Sequence, residues 1–153
     1  MIYISHRGNV NGRNEPFENM PAYIDYAISK GYDVEVDIWY KDNMLWLGHD
    51  MPNHIVDSKW LIERYDKLWI HCKNIEAMDF LKNIECTLNY FWHQEDDVTI
   101  TSIGHFWTYP GKKLTKWSIA VMPEIDRFEN IDMAYGICSD EIEKYNPNII
   151  GVE

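Results

Sequence analysis

Asp33-Val34-Glu35-Val36-Asp37-Ile38-Trp39 alternates apolar and acidic residues without a break. A period of two is the signature of a β-strand, with Val34, Val36 and Ile38 on one face and Glu35 and Asp37 on the other. Before it, Met20, Tyr23, Ile24, Ala27 and Ile28 recur at helical spacing, with Asn19 as the expected N-cap and Gly31 as the stop. Ile2–Ser5 precedes that helix as a short strand. Downstream, Met44–Leu47 is a further apolar run, and Asp57 or Ser58 caps a helix through Leu68 whose buried stripe is Trp60, Leu61, Tyr65 and Leu68. Leu68–Cys72 is strand again. Asn74 then caps a helix with Ala77, Phe80, Leu81 and Ile84 on one face. Strand and helix alternate through the first 85 residues or so, which points to a parallel sheet covered by helices.

The second half is richer in β-formers, with runs at 87–92, 98–103, 117–122, 135–138 and 148–152. Only 129–134 and 140–145 offer helical turns between them. Eight strand candidates in 153 residues give units far shorter than those of an ordinary (β/α)₈ barrel of about 250 residues. The expected fold is therefore a reduced (β/α)₈ TIM-type barrel in a single domain over 1–153, with several outer helices shortened or missing. An open α/β sheet is the alternative.

Composition narrows the function classes. Fourteen basic residues against twenty-five acidic ones leave a net charge of −11, which repels nucleic-acid backbones and anionic lipid. No apolar run is long enough to span a bilayer and no signal peptide is visible, so a cytoplasmic protein without membrane insertion is expected. Cys72, Cys86 and Cys138 form no CxxC pair, and their odd number argues for reduced thiols.

Polar residues follow nearly every strand candidate: His6-Arg7, Glu35 and Asp37, His49-Asp50, His71 and Lys73, His93-Gln94, Glu124, Ser139-Asp140 and Glu153. In a parallel barrel that end is where active sites form. Glu35 and Asp37 lie two apart on one strand face, about 6.6–7 Å along the chain. Two such carboxylates at a barrel mouth make a hard-oxygen site of the Mg²⁺ or Ca²⁺ type, with a solvated strand face as the alternative.

His6-Arg7-Gly8, Glu18-Asn19, Glu35-x-Asp37 and Gly48-His49-Asp50 occur in that order and close together. The series resembles the glycerophosphodiester phosphodiesterase family and its relatives in the phospholipase-C-like barrel superfamily, whose opening reads H-R-G, E-N-T, E-x-D, then H-D. The resemblance covers residues 1–52 or so. It continues at Ile70-His71-Cys72-Lys73, where Lys73 matches and His71 stands in place of a carboxylate. The resemblance implies that His6 and His49 are an acid–base pair, a role suited to imidazole. It implies that Arg7 forks onto phosphate oxygens and that Lys73 adds a point charge. Glu18 is either near the metal or an acidic residue before a helix, and Asn19 is read as the helix cap alone.

The function so implied is metal-dependent hydrolysis of a small phosphodiester, of glycerophosphodiester, sugar or polyol type. The subdomain that glycerol-specific members insert after H-D is missing here, so the pocket should be more open. His93, Gln94 and Trp107 are candidates for its substrate-binding walls, or for aromatic core and a polar turn. His54 and His105 have no assigned role. The metal set is Glu35, Asp37 and His71. Because imidazole suits Zn²⁺ or Mn²⁺ better than Mg²⁺ or Ca²⁺, three outcomes stand open: weak Mg²⁺ binding through Glu35 and Asp37 alone, a transition metal, or completion of the shell by Glu124 or Glu153 with His71 contacting substrate instead. A glycosidase using Glu35, and a binding module without turnover, are the competing classes.

Overall fold

Strand β1 spans Ile2–His6 and β2 spans Asp33–Lys41, linked by helix α1 over Pro21–Ser29, in a computed structural model that describes residues 1–148. Of the expected strand at 148–152, Asn148 lies in a turn, and 149–152, with Glu153, lie outside the described residues. β2 then turns back through Asp42 and Asn43, both with positive φ, into β3 (Met44–Leu47) and β4 (His54–Val56). Two consecutive left-handed residues, here Asp and Asn, make the tight hairpin connection that matches strand twist. Helix α2 (Ser58–Ile62), β5 (Leu68–Cys72) and α3 (Ile75–Asn83) follow. The remaining strands are β6 (Asn89–Phe91), β7 (Val98–Ile100), β8 (Phe106–Thr108), β9 (Ser118–Val121) and β10 (Gly136–Ser139). Short 3₁₀ turns at Ile131–Met133 and Ile142–Tyr145 occupy the two stretches expected to make helical turns.

These strands form one mixed ten-stranded sheet curled into a half-barrel, and the reduced (β/α)₈ TIM-type barrel expected from the sequence is not what the chain builds. The order β6-β5-β2-β1-β10-β9-β8 is parallel throughout. By contrast, β3 and β4 add to β2 as antiparallel hairpin strands, and β7 pairs antiparallel with β8. Only three α-helices, of nine, five and nine residues, lie among the described residues. The barrel count treats each run of β-formers as a parallel strand with its own crossover. Met44–Leu47 and Val98–Ile100 instead close hairpins, which need no helix.

Alternation along the strands divides the core in two. Val34, Val36, Ile38, Leu68, Ile70 and Cys72 face outward against Ile24, Ala27, Leu61, Ala77 and Leu81 of the helices. Ile4, Trp69, Phe91, Trp107, Ile119, Val121 and Cys138 fill the concave side. Phe91 and Trp107 stand on β6 and β8, at opposite ends of the parallel run, yet their ring centroids are 4.6 Å apart. The curl brings those ends together. Ser102 bridges them further, donating its N–H to the Tyr90 carbonyl at 2.8 Å. That contact covers the backbone edge that β6 would otherwise expose.

The caps follow local chemistry. Asp57 and Asn74 accept from the N–H groups of Trp60 and Ala77 at the starts of α2 and α3. Asn19 does not cap α1: Met20 occupies the N-cap and Pro21, with its preset φ, opens the helix. No helix among the described residues is long and apolar enough to cross a membrane.

Burial pushes the Cys72 thiol up to about 12 and Cys138 well above its ordinary value, while Cys86 is only half-buried. A thiol that stays protonated does not react. Alkylation of the native protein at pH 8 is expected to stop at one adduct, on Cys86, and to reach all three in denaturant. Intact mass and peptide mapping read this directly, and a native adduct on Cys72 would contradict the packing.

Candidate metal and acid–base site

β2 overshoots its pairing with β1. Asp33–Glu35 lie beside β1, but Ile38–Lys41 continue on and pair with β3 along the same edge. The returning strand ends level with Asp37, whose carbonyl accepts the Gly48 N–H at 3.1 Å. His49 thus reaches the site by a hairpin. Gly48 carries a φ of +152° where an added Cβ would meet the Met51 carbonyl oxygen at 2.0 Å, so the tight return requires glycine.

Arg7, Gly8 and Asn9 leave β1 in a turn held by the Glu35 carbonyl, which accepts the Arg7 N–H at 2.9 Å. Arg7 and Met122 have φ of 55° and 51°. They are the only left-handed residues, among those described, that are neither Gly, Asn nor Asp, and both border one cavity of about 320 Å³. Strained backbone of this kind persists where the surroundings over-determine it, and it gathers at functional sites. Gly8, at φ +94°, has no room for a side chain: a Cβ would sit 2.6 Å from Tyr23 Cδ1. Gly8→Ala is expected to cost about 1–3 kcal/mol, measured by denaturant unfolding. A cost below about 0.5 kcal/mol would show that the turn adapts freely.

The same cavity is bordered by His6, Arg7, Glu35, His49, His71 and Asp140. Glu35 and Asp37 are both buried, and His71 stands with them: one ligand atom from each lies within 4.8 Å of the others. Asp37 is surrounded by cations. Arg7 Nε is 3.0 Å from its Oδ2, and His71 Nδ1 and Lys73 Nζ are 3.3 and 3.8 Å from its Oδ1. Burial alone would raise its pKa, but His71, Arg7 and Lys73 outweigh that and hold the carboxyl far below the usual range. Glu35 goes the other way: burial first, then the Asp37 charge, push it above the ordinary value. Glu35 Oε2 and Asp37 Oδ1 are buried without a hydrogen-bond donor. Buried carboxylate oxygens left in that state fit a divalent cation.

His6 is positioned from behind. Its Nδ1–H donates to Asp140 Oδ1 at 2.8 Å, and its Nε2 lies 3.7 Å from Glu35 Oε2. Burial lowers the His6 pKa, but the Asp140 hydrogen bond and the Glu35 charge overcome it, and the net shift is upward. His49 is lowered, by burial and then by the Arg7 charge, although its Nδ1–H donates to Asp50 at 2.7 Å. The two histidines face one cavity with proton affinities moved apart.

Behind these groups lies a supporting layer in which Glu18 takes an outer role, one of its two expected readings, Asn9 has no sequence-based expectation, and Asn19 serves as something other than a helix cap. Buried Asn9 donates both to Asp140 Oδ1 and to Glu18 Oε1, at 2.8 and 3.1 Å. Glu18 in turn pairs with Arg7 at 3.2 Å, which places it behind the arginine and outside the metal trio. Asn19 clamps Asp37 twice, donating to Oδ2 at 2.9 Å and accepting the Asp37 N–H at 3.0 Å. Its φ of 61° suits asparagine, which tolerates the left-handed region. Glu124 accepts from the Ser139 hydroxyl and the Asp140 N–H. It fixes the loop that carries Asp140 and does not join the trio.

Of the expected substrate walls, His93 borders the cavity and donates from Nε2 to the Asp96 carbonyl at 2.7 Å. Trp107 closes the cavity floor but is itself core, packed on Phe91 and Trp69. Gln94 is exposed and does not border the cavity; its carbonyl accepts the Tyr109 hydroxyl. His105 packs between Trp69 and Tyr135, away from the trio. A larger concavity of about 760 Å³ lies by α2 and α3, bordered by Tyr40, Ile62, Phe80 and Ile84, and contains no histidine, lysine or arginine. Comparison with known proteins gives no match to any family model, curated protein or solved structure.

Proposed function

We propose that the protein is a divalent-metal-dependent phosphodiesterase acting on a small phosphodiester. Glu35, Asp37 and His71 hold the ion, His6 and His49 exchange protons, and Arg7 and Lys73 offset phosphate charge. The observation that carries this reading is the pair of donor-less buried oxygens, Glu35 Oε2 and Asp37 Oδ1, the first of them in the lining of a cavity that His6, His49, His71, His93 and Arg7 also border. A bound divalent cation would neutralise charge on the phosphoryl oxygens.

The opposite pKa shifts assign the proton roles. His49, lowered, is the neutral ring that takes the proton from the attacking oxygen, whether a neighbouring substrate hydroxyl or water. His6, raised, is the proton donor to the leaving oxygen as its bond to phosphorus breaks. A glycosidase would use Glu35 and a second carboxylate but has no need of His6, His49 and Lys73.

Bis(p-nitrophenyl) phosphate tests the reading. Turnover should appear with a divalent ion, vanish in chelator, return on adding the ion back, and be abolished in Glu35→Ala. Full activity in chelator, or release of nitrophenol only from aryl glycosides, would overturn it.

A further inference from the structure

We infer that the ion at Glu35 and Asp37 is a transition metal of the Mn²⁺ or Zn²⁺ class, ligated by Nδ1 of His71, and not Mg²⁺ or Ca²⁺. The inference rests on the metal-dependent reading above for the presence of an ion, and it names the class of ion.

The tautomer of His71 is determined by its partner. Nε2 lies 2.9 Å from the His93 carbonyl oxygen, which can only accept, so Nε2 carries the proton. In the neutral ring Nδ1 then presents a lone pair. That lone pair is 3.3 Å from Asp37 Oδ1 and 3.9 Å from Glu35 Oε1. Three electron-rich atoms facing one another repel unless a cation sits among them, a proton on Nδ1 in the metal-free protein or a metal ion in its place. A histidine whose second nitrogen donates to a backbone carbonyl is the usual arrangement of a metal ligand. The ring cannot swing away, because it is stacked on Phe91 with centroids 5.1 Å apart and planes within 12°.

Oxygen ligands are scarce here. Ca²⁺ takes six to eight oxygens, while Mg²⁺ fills its octahedron with waters and one or two carboxylates and has no preference for a nitrogen ligand. Apart from Glu35 and Asp37, the neighbouring carboxylates are already engaged: Asp140 with His6 and Asn9, Glu18 with Arg7 and Asn9, Glu124 with Ser139 and the Asp140 N–H. Charge is offset as well. Arg7 and Lys73 both reach Asp37, so the two carboxylates present little net negative charge to a hard cation. What remains is a nitrogen donor, which first-row transition ions accept more readily than Mg²⁺ or Ca²⁺ do, Zn²⁺ above Mn²⁺.

The test uses the full chain stripped of metal. Calorimetry should show Mn²⁺ and Zn²⁺ binding one site at least 100-fold more tightly than Mg²⁺ or Ca²⁺. Bound Mn²⁺ should show electron-spin-echo modulation from a directly coordinated ¹⁴N. His71→Glu should abolish that modulation and narrow the Mn²⁺-to-Mg²⁺ preference to tenfold or less. Retention of the modulation in His6→Ala, in His49→Ala and in His93→Ala assigns it to His71 even where His71→Glu fails to fold. Mg²⁺ binding as tight as Mn²⁺, Mn²⁺ bound without ¹⁴N modulation, or no binding of any ion would each overturn the inference. Selective, nitrogen-ligated Mn²⁺ with no phosphodiester cleavage sustains this inference and sinks the phosphodiesterase reading. Turnover with Mg²⁺ and no ¹⁴N signal does the reverse.

Discussion

His6→Ala is expected to lower phosphodiester turnover by about 10²–10⁴-fold, the range for losing a positioned general acid, with metal affinity within a few-fold of the parent. His6 donates from Nδ1 to Asp140, so its other nitrogen faces Glu35 and the cavity. Asp140 holds the ring in that orientation and is a positioning residue, with no cavity role required of its own. Asp140→Asn keeps the side-chain shape and removes the charge. The pH profile separates this from a structural effect. A raised His6 pKa moves the alkaline limb of the profile upward from the ordinary histidine value, because activity falls as the acid loses its proton. Without the Asp140 charge, burial dominates and the limb should move to lower pH, while the acid limb set by His49 stays in place. An unmoved alkaline limb in a folded Asp140→Asn protein would remove Asp140 from the proton pathway. Full activity in both His6→Ala and His49→Ala would end the acid–base assignment.

The parts of this site that the sequence revealed are those with a strict period. Glu35 and Asp37 share a face because β2 alternates, and the same rule sends His71 inward and Cys72 out among Ala77 and Leu81. Asn74 sits ahead of an amphipathic run and is the cap it was read to be. The barrel expectation failed where period was replaced by turn chemistry. Asp42-Asn43, between Asp33–Lys41 and Met44–Leu47, is a hairpin signal, and recognising it removes one crossover from the count. β4 and β8 have three residues each, too few for any period to register. Asn19 was read as a cap because it precedes a helix. Pro21 was the stronger start signal, and it frees Asn19 to clamp Asp37. Asn9 carries no local signal: its partners, Glu18 and Asp140, are 9 and 131 residues away.

Glu35 and Asp37, two residues apart and both buried, should respond to neutralisation in opposite directions when metal is absent. Asp37 is the counter-ion of Arg7, His71 and Lys73 and is clamped by Asn19. Asp37→Asn leaves the largely buried Arg7 guanidinium without its nearest partner on that side, and breaking a buried pair from one end costs about 3–5 kcal/mol. Glu35 is buried, with one oxygen that has no donor, and sits beside the Asp37 charge; burial first and then that charge hold its proton more tightly than usual. Glu35→Gln removes that like-charge contact at nearly constant shape, so the metal-free protein should gain about 1 kcal/mol. The same change removes one of the proposed ligands, so added metal should no longer stabilise it, whereas the parent should gain stability in proportion to the logarithm of ion concentration. Thermal unfolding of the two variants and the parent, in chelator and then with added ion, checks all three statements. Destabilisation by Glu35→Gln in chelator would mean that Glu35 holds the fold together, and the reading of Glu35 Oε2 as an atom kept free for an ion would fail.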